Sequence, residues 1–158
     1  MATTAGNRVF VDANILIYAR YTGSAFHRAA VDGTNALAGA GHELWVSRQT
    51  LREYMAATSR PGALTPPLTA ADIAADVHAF EARFRLAEDG PAVTAELLSL
   101  FTTVPVGGKQ VHDMNIVATM LAVGIPTLYT HNVADFTRFA AWITVIPLVP
   151  PPPPPGVP

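Results

Sequence analysis

The sequence predicts an α/β fold, a three-layer sandwich in which a central parallel sheet of about four to five strands has helices on both faces. Short apolar runs alternate with longer segments of helical period along the chain, which is the pattern of a parallel sheet covered on both sides. No hairpin signal such as Asn-Gly joins two of the apolar runs. Of the 158 residues, 50% are hydrophobic and 14% are charged, which is enough apolar material for a sizeable core.

The first half of the chain alternates predicted strands and helices. Ser47 is a good N-cap for the helix after the second strand, and Pro61 and Gly62 stop that helix. Thr69 and Asp72 have the spacing of a capping box, with Asp in the usual place of Glu. The predicted strands here are 9–11 and 44–46, and the predicted helices are 25–38, 48–58 and 69–86.

The second half continues the alternation. Pro91 suits the first turn of a helix because its missing N–H needs no partner there. Gly124 marks the end of a later helix. The predicted strands here are 103–106, 127–129 and 143–146, and the predicted helices are 91–101, 111–123 and 133–139.

Composition excludes several classes of protein. The chain has no Cys and therefore no disulfide, thiolate nucleophile or zinc ribbon, and its five His residues form no H-E-x-x-H motif. Lys and Arg number 10 against 12 Asp and Glu, a net charge of −2, which excludes nucleic-acid affinity built on bulk positive charge. No signal-peptide pattern and no apolar run of membrane-spanning length occurs, so we expect a cytoplasmic protein with no membrane partner.

The C-terminal residues differ in composition from the rest. Half of the 14 prolines lie within residues 150–158. Such a segment favours extended polyproline II and forms no core. We therefore expect a folded domain over 1–149 and an extended tail over 150–158, which is either a plain terminus or a ligand for a proline-recognition module.

Polar residues follow the predicted strands at or soon after the point where each ends. Asp12 directly follows the first strand, Glu53 lies on the helix after the second, and Asp113 opens the helix after strand 103–106. Asn132 and Asp135 follow strand 127–129. The carboxyl ends of parallel strands share one crevice, where clustered acids are stable only if they are protonated or joined by a cation.

Carboxylate and amide ligands favour Mg²⁺ or Mn²⁺ over zinc, and such an ion suits the hydrolysis of a phosphodiester. Each acid also has an ordinary structural explanation. Acids near helix N-termini cap the first turn and interact with the helix dipole, and Glu53 suits a solvated helix face. The acids taken together, rather than any single one, indicate a functional site.

Four segments carry a family resemblance. They are residues 11–18 (VDANILIY), 47–54 (SRQTLREY), 112–119 (HDMNIVAT) and 130–136 (THNVADF). In order and spacing they resemble the motifs of the PIN domain, a family of metal-dependent ribonucleases whose last motif is written T-x-N-x-x-D-F. The match is closest to the VapC toxins of type II toxin–antitoxin systems, and it covers about residues 8–147.

The resemblance implies a role for each matching residue and a PIN-like fold. Asp12, Glu53 and Asp113 match the catalytic acids that hold Mg²⁺ or Mn²⁺ in the family. Asn132 and Asp135 match the variable fourth position. Asn132 would then hydrogen-bond the acids or a water, and Asp135 would act as a further acid that reaches the metal through water.

A reaction and partners are also implied by the resemblance. The reaction is endonucleolytic hydrolysis of RNA by metal-activated water, leaving a 5′-phosphate and a 3′-hydroxyl. The partners are a VapB-like antitoxin that blocks the metal site and a second copy of the chain in a homodimer. The apolar helices 25–38 and 69–86 either clamp an antitoxin helix or simply cover the sheet.

Contact with RNA has to come from a few side chains, because there is no basic excess. Arg48 and Arg52 lie four apart and share one helix face, and Lys109 precedes the Asp113 motif. These cations either hold phosphates or form ordinary solvated surface. Asn14 is a further candidate for substrate contact; in the family it supports the first acid, and alone it would cap the following helix.

The remaining aromatic and His residues carry weaker signals. His112 and His131 adjoin two of the motifs, which is slight support for substrate contact. The spacing of several aromatic residues predicts core packing rather than a base-stacking surface: Trp45, Phe80, Phe84, Phe136 and Phe139.

The favoured function is a toxin ribonuclease, and two alternatives stay open. One is a housekeeping PIN nuclease that processes RNA without an antitoxin. The other is a non-catalytic PIN-fold interaction module that docks through its proline tail. The presence of Asp12, Glu53 and Asp113 argues against the module.

Overall fold

The structure, a computed structural model, describes residues 5–150, in which five parallel strands form one sheet of order β3-β2-β1-β4-β5. The strands are β1 (Arg8–Val11), β2 (Glu43–Ser47), β3 (Arg85–Ala87), β4 (Thr127–Thr130) and β5 (Thr144–Pro147). The helices are α1 (Ala13–Arg20), α2 (His27–Gly39), α3 (Arg48–Thr58), α4 (Ala70–Arg83), α5 (Pro91–Thr103), α6 (Gln110–Val123) and α7 (Val133–Phe136). Short 3₁₀ turns lie at Ala5–Asn7 and Thr137–Phe139. The predicted α/β sandwich is confirmed.

Two cores cover the two faces of the sheet. The central strand β1 alternates between them, with Phe10 in one core and Val9 and Val11 in the other. The Phe10 core is formed with α5, α6 and α7, and the opposite core with α1 to α4. Phe84, Phe136 and Phe139 are buried, and Trp45 and Phe80 pack partly buried against the cores, so the predicted packing roles are confirmed.

The strand order places a topological switch point between β1 and β4. The chain proceeds from β1 outward to β2 and β3, then returns to the other side of β1 for β4 and β5. In open parallel sheets, ligands bind in the crevice beyond the carboxyl ends of strands at such a point. Asp12 follows β1 and the 131–135 segment follows β4, so both lie at this crevice.

Local capping signals define several helix ends as predicted. The hydroxyl of Ser47 accepts a hydrogen bond from the Thr50 N–H in a capping box, and α3 begins at the next residue. The Thr69–Asp72 capping box opens α4. Gly124 ends α6 in the left-handed region, with φ of 76°, which glycine adopts without strain.

Two element predictions are wrong. Residues 103–106 form no strand. The helix α5 continues to Thr103, and Val104 is its C-cap. Val104 is apolar because its side chain is buried at the end of this helix. The helix predicted over 69–86 ends at Arg83, and the chain then pairs with β2 as the short edge strand β3. Residues 13–20, the helix α1, have no counterpart among the predicted elements.

Two sequence expectations concern the ends of the chain and membranes. Apart from Pro150, the predicted proline tail lies outside the described residues. Among residues 5–150, no helix combines the length and the apolar character needed to cross a membrane.

Gly33 in α2 lies directly against Tyr129 of the sheet. A Cβ at this position would overlap the hydroxyl of Tyr129, a buried residue of β4 that has little room to swing away. Glycine is therefore required here by space, although it is unfavourable inside a helix.

We expect Gly33→Ala to destabilise the protein by about 1–2 kcal/mol, because overpacking outweighs the gain in helix propensity. In a Tyr129→Phe background the hydroxyl is gone and the nearest atom is Tyr129 Cζ at 3.1 Å. There Gly33→Ala should be clearly less destabilising than in the native background, because only this tight contact remains. Urea unfolding of the four proteins in this cycle measures the coupling, and equal effects in both backgrounds would contradict it.

Candidate active site

Asp12 is the anchor of the crevice. It is the N-cap of α1 and only 5% exposed. Its Oδ1 accepts a hydrogen bond from the Ala13 N–H at 2.7 Å. Its Oδ2 accepts from Asn14 Nδ2 at 2.9 Å and from the Thr130 hydroxyl at 2.7 Å. The carboxylate is thus held by donors from both sides of the switch point.

Asn14 and Thr130 complete a network around Asp12. Asn14 Nδ2 also donates to Thr130 Oγ1 at 3.1 Å, and Asn14 Oδ1 accepts from the His131 N–H at 3.0 Å. Thr130 Oγ1 accepts from the Asn132 N–H at 3.0 Å. Asn14 therefore positions Asp12 and the start of the 131–135 segment, while Asp12 itself caps α1. The side chain of Asn132 is exposed at the start of α7.

Glu53 is fixed by a polar contact between α3 and α6. Its Oε1 accepts from Gln49 Nε2 at 2.7 Å. Gln49 Nε2 also donates to the His112 carbonyl at 2.9 Å, and Gln49 Oε1 accepts from Asn115 Nδ2 at 2.7 Å. Sequence reasoning gave no role to Gln49, Asn115 or Thr130. The available signal for Gln49 and Asn115 was an uncharged polar residue within about one helical turn of a predicted acid, and for Thr130 it was the Thr of the T-x-N-x-x-D-F motif.

Asp113 and Asp135 approach from two further helices. Asp113 lies in the first turn of α6 and is partly buried, and Asp135 lies in the first turn of α7 and is exposed. The expectation that Asp113 follows a strand is wrong, since α6 is reached from α5 through the 104–109 loop. Asp113 reaches the crevice because α6 packs against the sheet.

The four acids influence one another electrostatically. Burial raises the pKa of Asp12 to about 6, the Thr130 hydrogen bond opposes this rise, and the charges of Glu53 and Asp113 add to it. Burial also raises the pKa of Asp113 to about 6, together with the charges of Asp135 and Glu53, against Arg138 and His112. The structure therefore places Asp12, Glu53, Asp113 and Asp135 within one electrostatic group.

No salt bridge neutralises this group among residues 5–150. Within the same residues, no three His, Asp or Glu side chains form a cluster with the spacing of a metal site. The donor set nonetheless fits a hard divalent ion, because it is made of carboxylate oxygens whose negative charge Arg138 offsets only in part.

The predicted cations do not all lie at the acids. Arg48 binds Glu81 at 2.9 Å and Glu88 at 2.8 Å, so it joins α3 to α4 and to the residue after β3. Arg52 lines a cavity of about 430 Å³ together with Glu53 and His112. Lys109 is exposed just before α6. Arg138, which sequence reasoning missed, lies close enough to lower the pKa of Asp113.

Comparison with solved structures supports the fold. The chain resembles VapBC2 of Rickettsia felis bound to a promoter DNA fragment (16% identity, 89% and 98% of the two chains covered, TM-score 0.65). It resembles the sarcin–ricin loop cleaving toxin VapC20 of Mycobacterium tuberculosis (16%, 86% and 96%, 0.61). It also resembles VapBC-1 of nontypeable Haemophilus influenzae (17%, 89% and 98%, 0.62).

A comparison with curated protein sequences gave no match. The family comparison is decisive, because the PIN domain model matches residues 9–141, most of the chain. This span contains Asp12, Glu53, Asp113 and Asp135, the same acids that the fold gathers at the switch point. The chain belongs to the PIN domain family.

Proposed function

We propose that this protein is a metal-dependent endoribonuclease and the toxin of a VapBC-type toxin–antitoxin pair, with residues 1–149 as its nuclease domain. The observation that carries the proposal is a chain of acids linked by their charges: Glu53 and Asp113 act on Asp12, and Asp135 and Glu53 act on Asp113, which together with burial raises the pKa of Asp12 and of Asp113 to about 6. Such groups favour a cation as their partner. The PIN domain match and the VapC-like fold agree with this chemistry.

The metal ligands would be Asp12, Glu53 and Asp113, with Asp135 acting through a water. When bound, Mg²⁺ or Mn²⁺ supplies a Lewis acid for a phosphate oxygen and lowers the pKa of a water. The cleavage would leave a 5′-phosphate and a 3′-hydroxyl.

The protein's own residues prepare this site. Thr130 and Asn14 hold Asp12 Oδ2 in place, and Gln49 holds Glu53. Preorganised acids need no reorientation when the substrate arrives. Asn132 lies at the same loop, where its exposed amide is available to a water or a phosphate.

Cations around the acids would bind the phosphate backbone. Arg52 lines the cavity beside Glu53, Arg138 lies near Asp113, and Lys109 is exposed before α6. Arg48 has a different role in the proposal, because Glu81 and Glu88 already occupy its guanidinium. It stabilises the α3–α4 side of the site.

The proposed partners are an antitoxin and a second copy of this chain. Met55, Leu68 and Ile73 line an apolar cavity of about 410 Å³ between the start of α4 and α3, the helix that carries Glu53. An antitoxin segment seated there would lie next to the acids. Leu98 and Phe101 are exposed on α5, 61% and 51%, and would serve a homodimer contact. An RNA substrate and such partners place the protein in the cytoplasm.

Asp113→Asn should reduce Mg²⁺-dependent cleavage of single-stranded RNA at least about 100-fold, because the variant loses a metal-binding carboxylate. Asp12→Asn should do the same, and EDTA should stop the native protein. Gel analysis of purified proteins measures this, with Asp32→Asn as a matched control on the exposed surface of α2.

Full cleavage by a folded Asp113→Asn protein would overturn the nuclease proposal. Induced expression in cells tests the toxin proposal separately, with growth arrest and cut RNA expected only for the native protein. Relief of the arrest by a co-expressed small protein from the neighbouring reading frame would identify the antitoxin. RNA cleavage without growth arrest would favour a housekeeping nuclease.

Thr130→Val should lower kcat about 10- to 100-fold, because Asp12 loses the hydroxyl that orients it. Loss of this hydrogen bond should also raise the pKa of Asp12 further, moving the acid limb of the pH–rate profile to higher pH. Thr130→Ser keeps the hydroxyl and should retain both rate and profile. A Thr130→Val protein with an unshifted profile would contradict this role.

Without metal, Asp113→Asn should be more heat-stable than the native protein at pH 7.5. The pKa of Asp113 is about 6 when folded and 3.8 ordinarily, so the folded state gains most when this acid is protonated. That stability is lost as the pH rises through about 6. The advantage of Asn should therefore shrink as the pH falls towards 4, and Mg²⁺ should stabilise only the native protein strongly.

Tm measured from pH 4 to 8, with and without Mg²⁺, tests this expectation. Asp32→Asn, on the exposed surface of α2, should show neither effect. Equal Tm values for the native and Asp113→Asn proteins at pH 7.5 would contradict the raised pKa of Asp113, which burial and the charges of Asp135 and Glu53 cause.

A further inference from the structure

Three aromatic rings form a cluster beside the acids, called here the aromatic shelf: Tyr18, Phe26 and His131. The ring of His131 lies 4.3 Å from that of Phe26 and 5.3 Å from that of Tyr18, in an edge-on arrangement. Tyr18 and Phe26 are 5.1 Å apart. All three side chains are partly exposed, and Tyr18 and Phe26 also pack against the core formed with α1 to α4.

The shelf is tied to the Asp12 network. The His131 N–H donates to Asn14 Oδ1, and the same Asn14 side chain donates to Asp12. Tyr18 lies four residues after Asn14 on α1 and therefore shares its face of the helix, about one turn or 5.4 Å further along. The Tyr18 carbonyl also contacts His27 Nδ1 at 3.1 Å, which holds the 24–27 turn and Phe26 in place.

The negative net charge of the chain favours an additional, uncharged contact with the RNA at this position. The net charge is −2, and Arg48 is already engaged with two acids. The cations that remain near the acids, Arg52, Lys109 and Arg138, can hold phosphates but do not contact a base through such bonds. Stacking on an aromatic face adds affinity without charge and tolerates any base, because every base has a π face.

We propose that the aromatic shelf stacks an unpaired base of the RNA substrate, one that neighbours the phosphate held at the acids. The inference rests on the proposed nuclease function and adds to it a surface that contacts a base of the substrate. Bases in a duplex are stacked on one another and hidden from such a surface. The ring nitrogens of His131 and the hydroxyl of Tyr18 form no hydrogen bond with residues 5–150, so they are available to the edge of that base.

Binding measured apart from cleavage tests the shelf. The full chain carrying Asp113→Asn is titrated with a fluorescent mixed-sequence single-stranded RNA and with the matching duplex. Adding Phe26→Leu or His131→Leu should weaken single-strand binding at least about fivefold, while Trp142→Leu, which removes an exposed ring outside the shelf, should not. The slope of log Kd against log salt should stay unchanged, because no phosphate contact is removed.

The Leu variants keep apolar cover over the core, and Tm checks their folding. A second measurement needs no variant of the shelf: RNA containing 5-iodouridine is irradiated on the Asp113→Asn protein, and the cross-linked peptide is identified by mass spectrometry. The expected cross-link is to Tyr18, Phe26 or His131.

The outcomes separate this inference from the proposed function. Cross-links found only elsewhere, or unchanged affinity in folded Phe26→Leu and His131→Leu proteins, would overturn the shelf while RNA binding and cleavage stand. A protein that binds neither form of RNA would overturn the nuclease proposal itself. Equal affinity for duplex and single strand would also overturn the shelf.

Discussion

The burial of one carboxylate, Asp12, at the junction of β1 and α1 is the constraint on which the rest of the site depends. A charged group removed from water is stable only with several donors or a cation. Ala13, Asn14 and Thr130 supply the donors: the first two lie in the first turn of α1 and the third at the end of β4. The same hydrogen bonds that stabilise the carboxylate therefore also join the two strands of the switch point. Loosening any of them would move the start of α1 and the loop that carries His131 and Asn132.

Glu53 and Asp113 reach the crevice by helix packing rather than by strand ends. Glu53 and Asp113 lie on α3 and α6, which cover opposite faces of the sheet. Gln49 joins these helices through the His112 carbonyl and the Asn115 amide. A buried amide of this kind is stable only if its hydrogen bonds are satisfied, so the contact specifies how the two helices meet. The polar contact of Gln49 therefore fixes the positions of Glu53 and of the α6 turn that carries Asp113.

Much of this arrangement is predictable from sequence, and the failures have physical reasons. Ser47, Thr69 and Gly124 define helix ends locally, and the alternation of apolar runs predicts the parallel sheet. Residues 85–87 and 103–106 were not separable by pattern, because an apolar run of three or four residues suits an edge strand and a helix terminus equally. Pairing with β2 decides the first, and packing of Val104 beneath α5 decides the second. The acids themselves are predicted by their motifs, whereas Thr130, Gln49 and Arg138 depend on contacts between residues distant in sequence. The ionic partners of Arg48 are equally long-range, lying 33 and 40 residues away.

The distribution of charge explains why this site needs contributions of different kinds. Arginines at positions 8, 20, 28 and 48 are committed to acids of the folded domain. The six cations that form no salt bridge within residues 5–150 include Arg52, Lys109 and Arg138, which lie near the acids. A divalent ion would offset part of the charge of the acids and bind one phosphate, but it acts over a short range in salt. Contacts beyond that phosphate would then come from these cations and from the neutral surfaces beside the acids, and on the β4 side the neutral surface consists of aromatic rings linked to the network that orients Asp12.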